Sequence, residues 1–506
     1  MAMLQAKTEN GWVEGVMAGC QSVSIFKGIP FAAPPVGPLR WRAPQPAESW
    51  EGVRPAKEFA NAPMQEYLPK NNFHHKEFYP VEMPMGEDCL YLNIWTPAEE
   101  PGETYPVAFW IFGGGFIRGY AHGQQYDGEA LAKQGIVYVS ANYRSNGFGF
   151  MQHPELTAEE PKGAGNYGIQ DIIAALKWVR RNIAAFGGDP EQITVFGQSA
   201  GGTASQILTC SDWTRGDIRR AILQSGGGLG DNPKVWPLPL AEAERFGVDF
   251  FAYAGVRNLE EARAVPAETL NRQLIAFFKE THGQERFKPC VDGSLLKDLP
   301  HRIQRAGRCH DIDYMVGCTR DETPPDPECR HPFSEAYQEE CQRNFGLPAE
   351  TLRQRLGIVS EEDAQRYLQT CRANYKRAAV AAFCENQLLL GRRPAYGYVF
   401  DQVPAGSEIG VFHSAEHLYV FRILERSWRP YTGEDYDISI RANTYWGNFI
   451  KYGSPGMAGE AEWKPYTREA PQVMGFSQGG GMRPLERNPM IDFLVAFHLG
   501  KDTLSQ

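Results

Sequence analysis

Residues 193–201 read Ile193-Thr194-Val195-Phe196-Gly197-Gln198-Ser199-Ala200-Gly201. The first four residues are apolar or β-branched, which predicts a buried strand. Glycines on both sides of Ser199 permit a sharp turn from strand to helix that holds the serine Oγ at the strand end. Small and then apolar residues continue to Leu208, as expected of a helix that packs closely on a sheet. The stretch therefore predicts a nucleophile elbow, with Ser199 as the nucleophile.

A second serine is framed in the same way, in Gly475-Phe476-Ser477-Gln478-Gly479. Two more glycines follow it, so the composition is that of a loop. Few residues remain downstream to supply the partners of a nucleophile. Because the five-residue pattern alone is weak evidence, the choice of Ser199 depends on other motifs.

An apolar run at residues 107–112 predicts a central strand, and Gly113-Gly114-Gly115 follows it directly. Glycines let backbone N–H groups converge on one point without side-chain crowding. Donors aimed at a developing oxyanion are worth about 3–4 kcal/mol each. The alternative is a merely flexible glycine loop, but the order of strand, glycines and elbow favours an oxyanion hole.

Strands and helices alternate along the 506 residues. Strand-like runs at 107–112, 136–141 and 193–196 enclose a helical stripe from Ile169 to Ile183. This order predicts an α/β fold, with a mostly parallel sheet flanked by helices. No linker or repeat interrupts the chain, so we expect one domain over 1–506. A lid or side layer of helices is expected at approximately 238–389.

Six further stretches along the chain form recognisable motifs: Phe26-Lys27-Gly28-Ile29-Pro30-Phe31-Ala32, Glu87-Asp88-Cys89-Leu90-Tyr91-Leu92-Asn93-Ile94, Asn142-Tyr143-Arg144, Gly165-Asn166-Tyr167-Gly168, Phe186-Gly187-Gly188-Asp189-Pro190 and Trp446-Gly447-Asn448-Phe449. Through these motifs the chain resembles the type-B carboxylesterases, an α/β-hydrolase family that includes bacterial para-nitrobenzyl esterases, mammalian carboxylesterases and cholinesterases. The resemblance covers nearly the whole chain and implies the α/β-hydrolase fold and ester hydrolysis.

The resemblance also implies the partners of Ser199, since this fold orders serine, acid and histidine along the chain. The segment ending in Asp321-Glu322 is similar to the family's acid segment, which makes Glu322 the acid and Asp321 its rival. The segment around His413 resembles the family's histidine segment, so His413 is the expected base.

Supporting groups follow from the same resemblance. The oxyanion donors are expected to be the backbone N–H groups of Gly114, Gly115 and Ala200. Ser225 is similar to a family serine that hydrogen-bonds the acid, although it could also be an ordinary serine at a strand end. Gln198 stands beside the nucleophile where the family usually has Glu, which makes a preference for cationic alcohols less expected.

A zinc-peptidase pattern, H-x-x-E-H, overlaps the predicted base at His413-Ser414-Ala415-Glu416-His417. It requires a helix and a further ligand, and it leaves Ser199 unexplained. We therefore expect no metal and no organic cofactor, with His417 as a bystander.

Composition narrows the class of partner. The net charge of −10 and the lack of a dense Lys/Arg tract argue against nucleic acid. The sequence contains no run of about 18 apolar residues, so no membrane span is predicted.

The start of the sequence lacks a signal-peptide pattern and the ten cysteines are scattered, so a cytoplasmic location is expected. Secreted members of the family bridge the cysteine that Cys89 matches, but the partner is missing here. Cys89 is expected to be a free, buried thiol, while long-range pairings stay open.

The predicted function is a serine hydrolase that cleaves carboxylic esters through a covalent acyl-enzyme. Thioesterase, amidase or lipase activity at the same triad is the alternative, with a non-catalytic adhesion-type module as a more distant one. Phe112 stands ahead of the three glycines, where many relatives have His or Tyr, so we expect it to make that wall of the pocket more apolar. The expected substrate is a small to medium, neutral and partly apolar ester. The sequence does not specify the oligomeric state.

Overall fold

The computed structural model describes residues 3–79, 81–100, 102–230, 237–281, 287–322, 329–456 and 462–501. Within these residues, an 11-stranded sheet is flanked by helices, and three small sheets lie apart from it. This architecture confirms the predicted α/β class.

The strands are β1 (Gln5–Thr8), β2 (Gly11–Glu14), β3 (Val16–Met17), β4 (Ser24–Pro30), β5 (Val53–Pro55), β6 (Ala62–Pro63), β7 (Met85–Gly86), β8 (Tyr91–Thr96), β9 (Tyr105–Ile111), β10 (Val137–Ala141), β11 (Gly188–Gln198), β12 (Arg220–Gln224), β13 (Leu238–Pro239), β14 (Cys290–Val291), β15 (Asp313–Thr319), β16 (Tyr396–Phe400), β17 (Gln472–Phe476) and β18 (Met482–Pro484).

The α-helices are α1 (Phe73–Phe78), α2 (Glu129–Ala132), α3 (Asn146–Phe150), α4 (Pro154–Glu159), α5 (Tyr167–Asn182), α6 (Ala200–Cys210), α7 (Leu240–Ala254), α8 (Leu259–Ala264), α9 (Ala267–Glu280), α10 (Pro300–Arg305), α11 (Glu335–Phe345), α12 (Ala349–Arg355), α13 (Glu361–Leu389), α14 (Glu416–Val420), α15 (Gly433–Tyr452) and α16 (Pro489–His498).

The large sheet is parallel at its centre. Its order is β18-β17-β16-β15-β12-β11-β9-β10-β8-β4-β3. The run from β10 to β17 pairs in parallel, whereas β8, β4 and β3 at one edge and β18 at the other pair antiparallel. Because parallel strands end at the same edge, loops after β9, β11, β12, β15 and β16 meet there.

The central strands of the large sheet are apolar, since both faces of the sheet are covered there. Residues of β9 from Val107 to Ile111 are almost completely buried, as are Ile193, Val195 and Phe196 of β11. Continuous apolar runs are typical of strands buried in a parallel sheet. The predicted strands and the helix over Ile169 to Ile183 are confirmed, with ends that differ by a few residues.

The region 238–389 is largely helical, from α7 to α13. It also contributes β15 to the large sheet, so it is not a continuous helical layer. The strand pairs with β12 and β16, a long-range arrangement that helical composition on either side concealed. Residues 282–286 and 323–328 of this region lie outside the described part.

Two further predictions concern cysteines and membranes. Cys89 is buried and unpaired, as predicted. Cys329 and Cys371, 42 residues apart, are joined by a disulfide, which the sequence had left open. None of the described helices is long and apolar enough to cross a bilayer.

Candidate active site

Ser199 lies at the turn between β11 and α6, with backbone angles φ 57° and ψ −124°. A left-handed φ is unfavourable for serine and persists only where neighbours impose it. The close packing here needs glycine, because a Cβ on Gly201 would lie 2.0 Å from the carbonyl oxygen of Ile111. One on Gly197 would lie 2.5 Å from the Gly201 carbonyl carbon. The sharp strand-to-helix turn that the sequence predicted is therefore present at Ser199.

Glu322 and His413 come together from the ends of different strands. Glu322 follows β15 and is fully buried. One of its carboxylate oxygens contacts Nδ1 of His413, which lies in the loop after β16. The other accepts hydrogen bonds from Ser225 Oγ at 2.6 Å and from the Thr319 N–H at 3.2 Å. The carboxylate is therefore held by three groups.

Electrostatics favour an ionised Glu322 beside a neutral histidine. Burial opposes ionisation of Glu322, but the charge and hydrogen bond of His413 outweigh it and lower the carboxyl pKa to about 2. Burial lowers the pKa of His413 below its ordinary value, although Glu322 partly offsets this effect. At neutral pH His413 can consequently accept a proton.

Gln198 contacts the other side of the imidazole. Its amide nitrogen lies 3.2 Å from Nε2 of His413. Among the described residues, the Ser199 hydroxyl has no hydrogen-bond partner. Catalytic hydrogen bonds are often long or misaligned without substrate. The two ring nitrogens of His413 thus have different neighbours, Glu322 at Nδ1 and the Gln198 amide at Nε2.

The loop after β9 lies against Ser199. Gly114 and Gly115 have φ values of 111° and 66°, and a Cβ on Gly113 would lie 3.2 Å from Ser199 Cβ. Ala200 is the first residue of α6, so its N–H is one of the free donors at a helix start. The glycine loop and the start of α6 thus both lie next to Ser199.

The competing residues lie elsewhere. Asp321 accepts from Arg320 and, at 2.8 Å, from the Val411 N–H, so it is engaged away from His413. His417 is fully buried and packs near Trp110 and Tyr126. Burial lowers its pKa to about 3. In the part of the chain that is described, no cluster of three or more His, Cys, Asp or Glu residues could hold a metal ion.

Ser477 follows β17 and leads through a turn into β18 rather than into a helix. Its carbonyl accepts a hydrogen bond from Arg441 at 2.9 Å. The loop interpretation of this serine is thus correct.

Phe112 does not form the pocket wall that the sequence suggested. Its ring is completely buried behind the glycine loop and stacks on Tyr143 at 4.1 Å. A phenylalanine at this position therefore packs behind the glycine loop and does not line the open face of the loop.

Sequence reasoning did not predict the contacts that α1 makes with the residue next to His413 and with Arg429. Phe73 and Phe78 of this helix pack edge to face on Phe412, the residue before His413. Glu77 of the same helix pairs with Arg429. A separation of 352 residues between these partners leaves no local signal that could have predicted the contact.

A family model described as the carboxylesterase family matches residues 2–493. The chain belongs to this carboxylesterase family. It is therefore a carboxylic ester hydrolase with an α/β-hydrolase fold, which confirms the predicted class of enzyme.

Individual relatives agree with the family assignment. Fumonisin B1 esterase of Sphingopyxis macrogoltabida is 32% identical over 95% of this carboxylesterase and 88% of its own length. Human bile salt-activated lipase is 30% identical over 96% of this chain and 68% of the lipase. A solved PNB esterase has a TM-score of 0.81 at 28% identity, covering 95% and 96% of the two chains. A Geobacillus stearothermophilus carboxylesterase reaches 0.75 at 31%, covering 95% and 98%.

Proposed function

We propose that this carboxylesterase cleaves its substrates with Ser199 as nucleophile, His413 as general base and Glu322 as the acid that orients the histidine. The observation that carries the proposal is the contact of buried Glu322 with Nδ1 of His413. The opposite imidazole nitrogen points toward the elbow, where it meets Gln198, the neighbour of Ser199.

The proposed mechanism has two similar steps, acylation of Ser199 and hydrolysis of the acyl-enzyme. His413 takes the Ser199 proton as Oγ attacks the ester carbonyl, and Glu322 stabilises the imidazolium. N–H groups of Gly114, Gly115 and Ala200 stabilise the oxyanion. Collapse expels an alcohol that His413 protonates, and water activated by the same histidine then hydrolyses the acyl-enzyme. Ser225 supports the acid through its 2.6 Å hydrogen bond.

A neutral, partly apolar ester is the proposed substrate. Gln198 adds no negative charge that would attract a cationic alcohol. An apolar cavity lies beside the glycine loop. Arg118 borders this cavity, and the Cγ atom of Arg118 would lie 3.2 Å from a Cβ placed on Gly114. The apolar lining consists of Ile117, Leu274, Ile275, Phe277, Phe278 and Phe287. Such lining favours hydrocarbon groups.

Hydrolysis of para-nitrophenyl acetate and butyrate by the wild type, Ser199→Ala and His413→Ala tests the triad. We expect kcat to fall by about 10⁴-fold or more in both variants, because a triad acts as a unit. Ser477→Ala is the matched control and should keep wild-type turnover. Retained activity in Ser199→Ala, or its loss in Ser477→Ala, would reject the assignment.

Thioester, amide and long-chain ester substrates, assayed with the same variants, distinguish the alternative activities at this triad. A cytoplasmic location stays a prediction, and fractionation of the source cells tests it.

A further inference from the structure

Helix α1 is tied to the rest of the site by an ion pair that is almost completely buried. The side chains of Glu77 and Arg429 are 1% and 3% exposed. Arg429 donates from Nη2 and Nε to the two carboxylate oxygens, at 2.8 and 2.9 Å. Trp428 Nε1 donates to the same carboxylate at 3.2 Å. Both charges are therefore compensated by directional hydrogen bonds.

The same guanidinium reaches the segment that carries His413. Arg429 Nη1 donates to the carbonyl of Ala405 at 2.9 Å. Its guanidinium carbon lies 5.1 Å from the centre of the Phe412 ring. Phe412 is covalently adjacent to His413, so a cation is stacked on the side chain next to the base.

Phe412 is also packed from α1. The Phe73 and Phe78 rings lie 5.1 and 6.3 Å from it, both edge to face. Glu77 lies between these two aromatic residues in the helix and anchors it to Arg429. The ion pair thus joins the two groups that contact Phe412, which are the aromatic rings of α1 and the guanidinium of Arg429.

A buried ion pair is weak evidence of a stabilising role. Its desolvation penalty often exceeds its Coulombic gain, and apolar residues of similar volume frequently serve as well. Fixed geometry is a better reason for the pair, because a bidentate guanidinium and carboxylate set both the distance and the orientation of the segments that they join.

We propose that Glu77 and Arg429 are positioning residues for His413, acting through α1 and Phe412. The inference rests on the proposed role of His413 as general base. Loss of either side chain would let Phe412 move and take His413 away from its contacts with Glu322 and with Gln198, the neighbour of Ser199.

The test compares Arg429→Met and Glu77→Gln with Arg40→Met. Arg40 forms a similarly buried bidentate pair with Glu87, at 2.7 Å for both bonds, in a different part of the fold. All three variants should melt at lower temperature. Only the first two should lose kcat, by about 10- to 100-fold, because small displacements of catalytic groups are costly. KM for para-nitrophenyl acetate should change by less than about threefold in all of them.

A second readout is the rate at which a fluorophosphonate labels Ser199, expressed per folded molecule. Labelling should slow in parallel with kcat in Arg429→Met and Glu77→Gln. Arg429→Lys keeps the charge and one hydrogen bond, so it should recover part of both rates. The variant also provides a folded test protein if Arg429→Met fails to fold.

Equal thermal destabilisation of all three variants, with kcat and labelling unchanged, would overturn the proposal and leave the pair a structural one. A double-mutant cycle with Phe412→Leu gives a further test, because positioning through Phe412 requires non-additive losses. Additive losses would reject that route. Failure of the proposed triad looks different, since Ser199→Ala would then retain activity in the wild-type background.

Discussion

At the scale of single residues, Gln198 is the side chain that contacts His413 at Nε2, the imidazole nitrogen opposite the one that Glu322 contacts. Its neutral amide lies 3.2 Å from the imidazole Nε2 and supplies no negative charge that would stabilise an imidazolium. In Gln198→Glu, a carboxylate would stabilise that cation and raise the His413 pKa. The neutral base would then be lost at higher pH, so the acid limb of the kcat/KM profile should move upward by about one pH unit.

Profiles measured with para-nitrophenyl acetate between pH 5 and 9 would show this shift. Gln198→Met is the matched neutral control, and its acid limb should not move upward. An unchanged profile in Gln198→Glu would indicate that the amide does not lie against the catalytic nitrogen.

At the scale of elements, the junction of β11 and α6 depends on close backbone packing. A methyl group on Gly201 would collide with the carbonyl of Ile111, 2.0 Å away in the neighbouring strand. Gly201→Ala should therefore separate α6 from the sheet, with a stability loss of about 2 kcal/mol or more and a much larger loss of activity. Thermal melting by circular dichroism and ester turnover measure the two effects.

Gly433 supplies the comparison for that substitution. It begins α15, and a Cβ there would meet nothing within 4 Å. Gly433→Ala should leave activity unchanged and stabilise the helix by up to about 1 kcal/mol. Equal behaviour of the two variants would exclude crowding at the elbow as the reason for Gly201.

At the scale of the whole molecule, Glu416 links stability to pH. It is fully buried, and burial followed by the charge of Glu322 raises its pKa to about 8. Between the unfolded pKa near 4.5 and this value, the folded chain binds the extra proton, so its stability falls as pH rises toward 8. Glu416→Gln replaces the titrating carboxyl with a neutral amide. The free energy of unfolding of this variant should therefore depend less on pH in this range, and at pH 8 it should exceed that of the wild type by a few kcal/mol.

Melting temperatures of the wild type and Glu416→Gln from pH 5 to 8.5 check the effect. The two curves should approach each other toward pH 5, where the unfolded chain also begins to bind a proton at Glu416, and diverge toward pH 8. Parallel curves would mean that Glu416 does not titrate in this range.

The local residue pattern determined the elements and their class. Apolar runs marked β9, β10 and β11, helical spacing marked α5, and the glycines around Ser199 marked the elbow, because each signal lies within a few consecutive residues. The order of motifs together with family resemblance supplied Glu322 and His413. Their contact is long-range, so only the fold could place them together.

Tertiary structure alone decided the contacts between distant segments. The burial of Phe112, the place of β15 inside a helical region, the joining of Cys329 to Cys371 and the pairing of Glu77 with Arg429 all depend on packing across long separations in sequence. Local composition carries no record of such partners, because burial and orientation arise only when the strands and helices assemble.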